Sequence, residues 1–419
     1  MNPDIRQAVN AALQRHEAEV VALLQQLVRI PSVNHPPTGD EMAVQQFYLK
    51  RLSQLGLETE LFEPMQVPAF LDHPGRLKDH DMTNRPDVVG TRRGAGGGKS
   101  LMIVAHADVD LPGDASLWSD GDPFSGAIRS GRLYGRGAGD DKCGMAINAM
   151  APAVLQSAGL RLKGDLIVAS VSDEEQAGSN GSVALVAKGH TADAILNTDA
   201  LNQEVVVECL GGGCANLDLR FGAPVVDALP LVDYFESVRE AIEAFRKQRE
   251  QDFMRHPSFG RGVFGRRAVR LMNIRLGCDD ATHGTALVWF YLLPGEDAAV
   301  LQRRFENALK GEGQGMCRIE WMSRFVLPAQ IEPSHALVEC FSEAFRRATG
   351  RDAVLGCGGM SDQGFLSTYG KAACISFGPS RPNGVEGGVH GPDEYVEIVR
   401  LLECLKTVVY FVTQWCGVA

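Results

Sequence analysis

The sequence LMIVAHADVD, from Leu101 to Asp110, decides the fold of this chain. Its apolar part, Leu101 to Ala105, has the length of a strand and is followed at once by His106, Ala107 and Asp108. A short apolar run bounded by polar residues predicts a strand buried on both faces of a parallel sheet. Side chains two residues apart in an extended backbone project to the same side, so His106 and Asp108 are expected to point together. Ligands of open α/β sheets bind beyond the carboxyl ends of the strands, although this pair alone fits a solvated loop equally well.

The same arrangement recurs further along the chain. Acidic residues follow two more apolar segments: Ser172–Glu175 follows Asp165–Val171, and Asp199 follows Ala194–Thr198. Two other motifs carry similar residues, namely Asp140 and Asp141 in the glycine-rich loop Arg136–Gly144, and His390 in Gly387–Tyr395. Carboxylates and imidazoles brought to one edge by separate strands are suitable ligands for divalent metal ions. The pattern therefore predicts a metal site that holds two ions.

Composition and charge narrow the class of protein. At 419 residues the chain is long for one hydrophobic core, and two domains are expected. The formal net charge of −11 argues against nucleic acid or an anionic membrane as partner, because both attract basic surfaces. Neither a secretory leader nor an apolar run long enough to span a bilayer is apparent, and the ten cysteines lack paired spacing. These features predict a cytoplasmic protein with reduced thiols.

Apolar periodicity predicts helices over Asp4–Ile30 and Glu41–Leu55 and, after the glycine-rich loop, over Lys142–Gly159. The polar, proline-bearing segment Pro64–Asn84 contains His73 and His80 but does not space them for one metal ion. We therefore expect a solvated surface loop there.

Five motifs resemble those of the dinuclear metallohydrolases that include acetylornithine deacetylase, succinyl-diaminopimelate desuccinylase, aminoacylase and the glutamate carboxypeptidases. They are HAD from His106, YGRGAGDDK from Tyr134, SDEE from Ser172, NTDA from Asn197, and GVHGPDEY ending at Tyr395. The resemblance implies an α/β fold: a mostly parallel-sheet catalytic domain with helices on both faces, plus an inserted α+β lid or dimerisation domain. The expected boundaries are 1–205 and 330–419 for the catalytic domain and 206–329 for the lid. It also implies a small-molecule substrate and a homodimer or higher homo-oligomer.

The resemblance assigns two divalent ions to the site. Asp140 would bridge them near the start of the predicted helix, where the macrodipole favours a carboxylate. One ion would be completed by His106 and Asp199, and the other by Glu175 and His390. The peptide bond after Asp140 is expected to be cis. A ligand set without sulfur accepts zinc, manganese or cobalt, and zinc is the expectation from the resemblance.

Two more residues receive roles from the resemblance. Glu174 would be the general base that deprotonates the attacking water. Asp108 would hydrogen-bond His106 and so fix its tautomer. Taken alone, the Glu174–Glu175 pair fits a solvated acidic strand end; within the whole set of motifs the catalytic interpretation is favoured.

The predicted lid departs from the pattern of the family. Its members usually carry a histidine after the first lid strand, whereas the loop Gly222–Pro230 has none. They also usually carry an arginine before a PGE turn, whereas Phe290–Asp297 has Tyr291 near that position. Possible substitutes are His256, His283, Arg261, Arg266, Arg267 and Arg270. For each of these, a structural or surface role is the competing interpretation.

Three functional hypotheses remain open at this point. The first is hydrolysis of a C–N bond in a small carboxylate-bearing compound, such as an N-acyl amino acid or small peptide, by a metal-activated hydroxide with Glu174 as base. The second is release of ammonia from an electron-poor aryl amine such as 5-nitroanthranilate by aromatic substitution, which depends less on an oxyanion histidine. The third is a degenerate hydrolase that acts as a binding protein. The joint presence of every ligand and of the base argues against the third.

Overall fold

The computed structural model describes residues 2–222, 227–260, 268–277, 280–310 and 315–419. In chain order the helices are α1 Pro3–Val28, α2 Met42–Gln54, α3 Pro68–Leu71, α4 Lys142–Ser157, α5 Asn180–Ala187, α6 Leu229–Arg255, α7 Ala298–Ala308, α8 Ala336–Thr349, α9 Gln363–Gly370 and α10 Ile398–Cys416. The predicted helices over Asp4–Ile30, Glu41–Leu55 and Lys142–Gly159 are therefore confirmed to within three residues at each end. Within these described ranges, no helix is both long and apolar enough to cross a membrane.

The strands of the described residues belong to four sheets. In chain order they are β1 Asn34–His35, β2 Thr38–Gly39, β3 Glu58–Phe62, β4 Asp87–Arg92, β5 Leu101–His106, β6 Ile128–Arg129, β7 Arg132–Tyr134, β8 Leu166–Val171, β9 Ala194–Asn197, β10 Val205–Cys209, β11 Gly211–Phe221, β12 Val269–Leu276, β13 His283–Leu292, β14 Gly315–Trp321, β15 Ala329–Gln330, β16 Leu355–Gly358, β17 Ala373–Ser376 and β18 Tyr395–Glu397. The chain divides into two compact units, 1–207 with 330–419, and 208–329.

The first unit is built on a large sheet in the order β15-β10-β17-β9-β5-β8-β4-β3. Its four central strands, β17, β9, β5 and β8, run parallel, and β10, β4 and β3 add antiparallel pairs at the sides. Every residue of β5 is buried, as its uninterrupted apolar run predicts. The fold class expected from the sequence, with a mostly parallel central sheet, is confirmed.

Helices cover both faces of this sheet. Leu101, Ile103 and Ala105 of β5 pack on one face against a core that includes residues of α1, α2, α4, α8 and α10. On the other face, Ile195 of β9 lies beside α9 at Gly370. Burial on both sides explains why β5 is apolar throughout rather than alternating, and each large apolar side chain buried this way contributes about 1.5–3 kcal/mol.

The second unit has its own sheet and core. Its four strands lie in the order β12-β13-β11-β14, all antiparallel. Alternate residues such as Ala215, Leu217 and Leu219 of β11 are buried in a cluster with aromatic side chains of α6 and α7. One covered face and one open face produce the alternating pattern that distinguishes these strands from β5.

The segment Pro64–Asn84 differs from the sequence expectation. It contains α3, and His80 is only 8% exposed, with its Nδ1 atom 2.8 Å from Oδ1 of Asp173. The prediction of a solvated loop is therefore wrong for His80. The cause is a buried carboxylate from a distant part of the chain, which composition does not reveal.

Candidate metal centre

The end of β5 and the end of β9 place two predicted ligands at one edge of the large sheet. His106 is the last residue of β5, and Asp199 follows β9 by two residues. Nε2 of His106 lies 2.9 Å from Oδ1 of Asp140. Ligand atoms of His106, Asp140 and Asp199 all lie within 4.8 Å of one another, close enough to hold one metal ion.

A second group shares Asp140. Nε2 of His390 lies 3.1 Å from Oδ2 of Asp140 and 3.2 Å from Oε2 of Glu175. These three residues also offer ligand atoms within 4.8 Å of one another. The two carboxylate oxygens of Asp140 thus face two different imidazoles, which is the geometry expected of a bridging carboxylate.

The loop that carries Asp140 is held by hydrogen bonds to a buried glutamate. Oε1 of Glu394 accepts hydrogen bonds from the backbone N–H groups of Gly139 and Asp140, at 2.9 and 3.2 Å. The guanidinium of Arg136 pairs with the same glutamate, and both side chains are buried. The peptide bond between Asp140 and Asp141 is cis, as the resemblance implied. The side chain of Asp141 then caps α4 by accepting from the N–H of Gly144.

The turn that carries Glu174 and Glu175 follows β8. The carboxylate of Asp108 accepts the N–H of Glu174 at 3.0 Å and the N–H of Glu175 at 2.9 Å. The expected contact between the side chain of Asp108 and His106 is longer: Nδ1 of His106 lies 3.6 Å from Oδ1 of Asp108 but 2.9 Å from its backbone oxygen. In this structure, therefore, the carboxylate of Asp108 is bonded to the Glu174–Glu175 turn, and His106 is oriented by a backbone carbonyl.

Burial and neighbouring charges shift the pKa values of the carboxylates in the site. Burial, together with neighbouring carboxylates such as Asp199, raises the pKa of Glu174 well above its ordinary value. Burial and the charge of Asp140 raise the pKa of Asp199 to about 7. Burial would also raise the pKa of Asp140, but hydrogen bonds with two imidazoles hold it well below its usual range. A buried excess of negative charge with only oxygen and nitrogen donors fits divalent cations well.

The candidate substitutes in the second unit have structural partners where they are described. Nε2 of His283 lies 3.3 Å from Oδ1 of Asp218, and the guanidinium of Arg270 lies over the rings of Trp289 and Tyr291. His256 directly follows α6, with Nδ1 3.9 Å from Oε2 of Glu208 and its ring against Phe259. Arg261, Arg266, Arg267 and part of the loop Gly222–Pro230 lie outside the described residues.

The sequence analysis did not assign some residues that support the site. Glu394 lies inside the motif GVHGPDEY, but nothing in its spacing indicates a bond to the loop before α4. Arg136 opens that loop, and its pairing with a residue 258 positions away is not visible in the sequence. The N–H groups of a glycine-rich loop that carries a candidate metal ligand need acceptors, and this requirement is a signal that the sequence offers.

Two ligand groups that share a carboxylate, next to a buried glutamate at the edge of a parallel sheet, are typical of hydrolases with a dinuclear metal centre. The comparisons with known proteins agree. The chain belongs to peptidase family M20/M25/M40, whose family model matches residues 102–414. The resemblance found in the sequence is thereby confirmed.

Several relatives match nearly the whole chain. N-formyl-4-amino-5-aminomethyl-2-methylpyrimidine deformylase of Halalkalibacterium halodurans is 24% identical over 439 residues, covering 97% of this chain and 96% of the relative. Succinyl-diaminopimelate desuccinylase of Burkholderia vietnamiensis is 26% identical over 400 residues, covering 93% and 96%. An M20 family metallo-carboxypeptidase of Sulfolobus solfataricus shares the fold, with a TM-score of 0.72 at 16% identity over 95% of this chain and 99% of its own. The protein is a metal-dependent hydrolase that acts on C–N bonds.

Proposed function

We propose that this protein hydrolyses the amide bond of a small N-acylated compound and that Glu174 is its general base. The observation that carries the proposal is the pair of ligand groups sharing Asp140. His106 and Asp199 would complete one ion, and Glu175 and His390 the other. Zinc is expected, with manganese or cobalt as alternatives, because the donors are only oxygen and nitrogen.

The residues around the two groups supply the remaining chemistry. When bound, two divalent ions polarise the scissile carbonyl and lower the pKa of the attacking water. Glu174 accepts the proton of that water and passes it to the leaving nitrogen. The N–H of Glu174 donates a hydrogen bond to Asp108, so the backbone that carries its carboxylate is fixed.

The names of the relatives indicate which acyl groups the substrate could carry. One relative is named a deformylase and another a desuccinylase, and both match nearly the whole chain. The segment before the PGE turn carries Tyr291, where an arginine for a substrate carboxylate was expected. We therefore include formamides of amines that carry no carboxylate among the candidate substrates, together with N-acyl amino acids and dipeptides.

We further propose that residues 208–329 act as lid and dimerisation domain of a homodimer. This unit has its own hydrophobic core, and on β11 alternate residues such as Asn216 and Arg220 are exposed on the opposite face of the sheet. Sedimentation equilibrium of the full chain tests the dimer. A monomeric mass at all concentrations would contradict it.

The altered lid sequence supports a second candidate, the release of ammonia from an electron-poor aryl amine. In that reaction negative charge spreads over the aromatic ring, so a histidine in the loop Gly222–Pro230 is less necessary. The metal ligands and Glu174 would have the same roles. The two candidates differ in the product that they release.

Product analysis with metal-reconstituted enzyme separates these candidates. The panel contains N-formyl amines, N-succinyl and N-acetyl amino acids, dipeptides and nitro-substituted 2-aminobenzoates, with carboxylate and ammonia measured in parallel. Release of formate, another carboxylate or free amino acids supports amide hydrolysis. Ammonia from an aryl amine supports the second candidate, and no product from any class would contradict both.

Glu174→Ala tests the assignment of the base. We expect turnover to fall by about 10²–10⁴-fold, the usual contribution of general acid–base catalysis, while both ions remain bound. Glu58→Ala is the matched control, because Glu58 is an exposed glutamate paired with Arg93 in the same unit. Undiminished turnover in the Glu174 variant would exclude Glu174 as the base.

A further inference from the structure

A fully buried arginine lies behind the turn that carries Glu174 and Glu175. Nε of Arg85 donates to both carboxylate oxygens of Glu41 at 2.9 and 3.0 Å, and Nη2 donates to Oε1 at 2.6 Å. Nη1 lies 2.8 Å from Oδ1 of Asp173. All three side chains have no exposed surface. Arg85 therefore joins α2 to the residue immediately before the proposed base.

The carboxylate of Asp173 contacts three side chains from two separate segments of the chain. Its Oδ1 atom lies 2.8 Å from Nδ1 of His80 and 3.3 Å from Nδ2 of Asn34, in addition to Arg85. Nδ2 of Asn34 also donates to the backbone oxygen of Glu175 at 3.2 Å. These side chains come from around residues 34, 80 and 85, none of which belongs to the ligand motifs. They all converge on the turn between β8 and α5.

The backbone of this turn explains why it needs such contacts. Asp173 has φ of 63°, and Gln176 has φ of 59°. Non-glycine residues rarely adopt the left-handed region, and a segment that does so persists only where its surroundings hold it. No strand or helix hydrogen bonds fix Asp173, which lies between β8 and α5. Its buried side-chain contacts therefore restrain Asp173, in addition to the hydrogen bonds that Asp108 accepts from the next two N–H groups.

The packing around Arg85 leaves its guanidinium little freedom. A Cβ atom added at Gly39 would lie 2.6 Å from Nε of Arg85, so the backbone of β2 closes directly over the guanidinium. Ser172 Oγ donates to the backbone oxygen of Arg85 at 2.9 Å, which ties the same residue to the end of β8. Because the side chain of Arg85 is confined in this way, it can fix the position of Asp173 as well as balance its charge.

We propose that Arg85, anchored by Glu41, is a positioning residue that acts through Asp173 to hold Glu175 in its ligand position and Glu174 in its place as base. The inference rests on the proposed function, because it takes Glu175 as a ligand of only one of the two ions. Its consequence is asymmetric. Loss of Arg85 weakens the ion held by Glu175 and His390 and leaves the ion held by His106 and Asp199 bound.

Metal titration of Arg85→Met, by competition with a chromophoric chelator and zinc or manganese, tests this asymmetry. We expect one of the two ions to bind about 10–100-fold more weakly, the range for residues that orient metal ligands, and the other to keep its affinity. With any active substrate, kcat should fall while KM changes little. Arg85→Lys should recover part of the affinity, because an ammonium group retains one of the two carboxylate contacts.

Arg249→Met is the matched control. Arg249 is also a fully buried arginine paired with a carboxylate, since Nη1 donates to Oε1 of Glu296 at 2.6 Å, but it lies in the second unit. This variant should lose stability while both ions bind as in the unchanged protein. If Arg85→Met does not fold, Asp173→Asn gives the decision, because it removes the charged anchor and keeps the side-chain size.

The outcomes separate the inference from the proposed function. Equal weakening of both ions in Arg85→Met, or affinities unchanged for both, would overturn the positioning role. The titration needs no substrate. A protein that binds two ions but hydrolyses nothing in the panel would refute the proposed function. In that case, unequal weakening of the two ions in Arg85→Met would still test the role of Arg85. If the unchanged chain binds no pair of ions, both proposals fall together.

Discussion

The two halves of the candidate metal centre are built in different ways. In the first half, His106 ends β5 and Asp199 follows β9, and these neighbouring parallel strands are in register up to Val104 and Asn197. We call this the strand-borne half. In the second half, Glu175 lies in an irregular turn, and His390 itself has φ of 62°. We call this the loop-borne half.

The difference lies in what holds each ligand in place. Hydrogen bonds between strands continue up to the strand-borne ligands, since the N–H of Thr198 donates to the oxygen of Val104 at 2.8 Å. The loop-borne half depends instead on buried side chains, chiefly Asp108 and the Asp173 network. A sheet edge tolerates changes around it because its restraints lie in the backbone. A loop held by side chains is expected to be sensitive to substitutions several residues away.

Asp140→Ala is expected to have the largest effect, because Asp140 is the one proposed ligand that both halves share. Both ions should be lost and turnover should become undetectable, as measured by metal analysis after gel filtration and by product release. Asp297→Ala is the control. Its carboxylate caps α7 in the second unit by accepting from the N–H of Ala299 at 2.7 Å, and its loss should leave metal content unchanged. Retention of both ions by Asp140→Ala would show that the halves are independent.

His106→Ala and His390→Ala separate the halves. Each variant should lose one ion. Its activity should fall by more than the ~10–100-fold loss that follows from changing a residue that only orients a ligand. The side chain of His390 is 34% exposed and that of His106 is 1% exposed. Added imidazole should therefore restore ion binding to His390→Ala but not to His106→Ala, as followed by metal titration with and without imidazole. Loss of both ions in either variant would mean that the bridge needs both halves.

The strand-borne half was largely accessible from the sequence. The apolar run Leu101–Ala105 predicts a buried strand, and a histidine at its end falls where α/β sheets place their ligands. The same argument places Asp199 after β9. The strand prediction is confirmed because a buried parallel strand leaves an uninterrupted apolar signal, and the ligand roles of His106 and Asp199 stay predictions.

In the loop-borne half, the strand-end pattern indicated Glu175, but the position of His390 beside Asp140 was accessible only through the family resemblance. His390 lies 250 residues from Asp140, and no periodicity indicates that the two meet. Arg85, His80 and Glu394 were not assigned because their partners lie in other loops. Contacts of this kind depend on tertiary packing, and a single sequence gives no signal for them. The sequence even suggested a solvated environment for His80, because polar composition is shared by exposed loops and buried polar networks.

Asp108→Asn and Thr198→Val form the last and smallest test of the comparison. Asp108 accepts two N–H groups of the loop-borne turn, and an asparagine in its place can accept with only one oxygen. We expect about 10-fold weaker binding of one ion, at the lower end of the range for orienting residues, as measured by chelator competition.

Thr198→Val makes the equivalent change beside the strand-borne half. Oγ1 of Thr198 donates to the oxygen of Val104 at 2.9 Å and accepts from Nδ2 of Asn148 at 2.8 Å. Its loss should lower the free energy of unfolding by about 1–3 kcal/mol, because a buried amide loses its acceptor, and urea denaturation measures this change. Both ions should nevertheless bind unchanged, since the N–H of Thr198 still bonds to Val104. If Thr198→Val weakened an ion as much as Asp108→Asn does, the strand-borne ligands would depend on side chains just as the loop-borne ligands do.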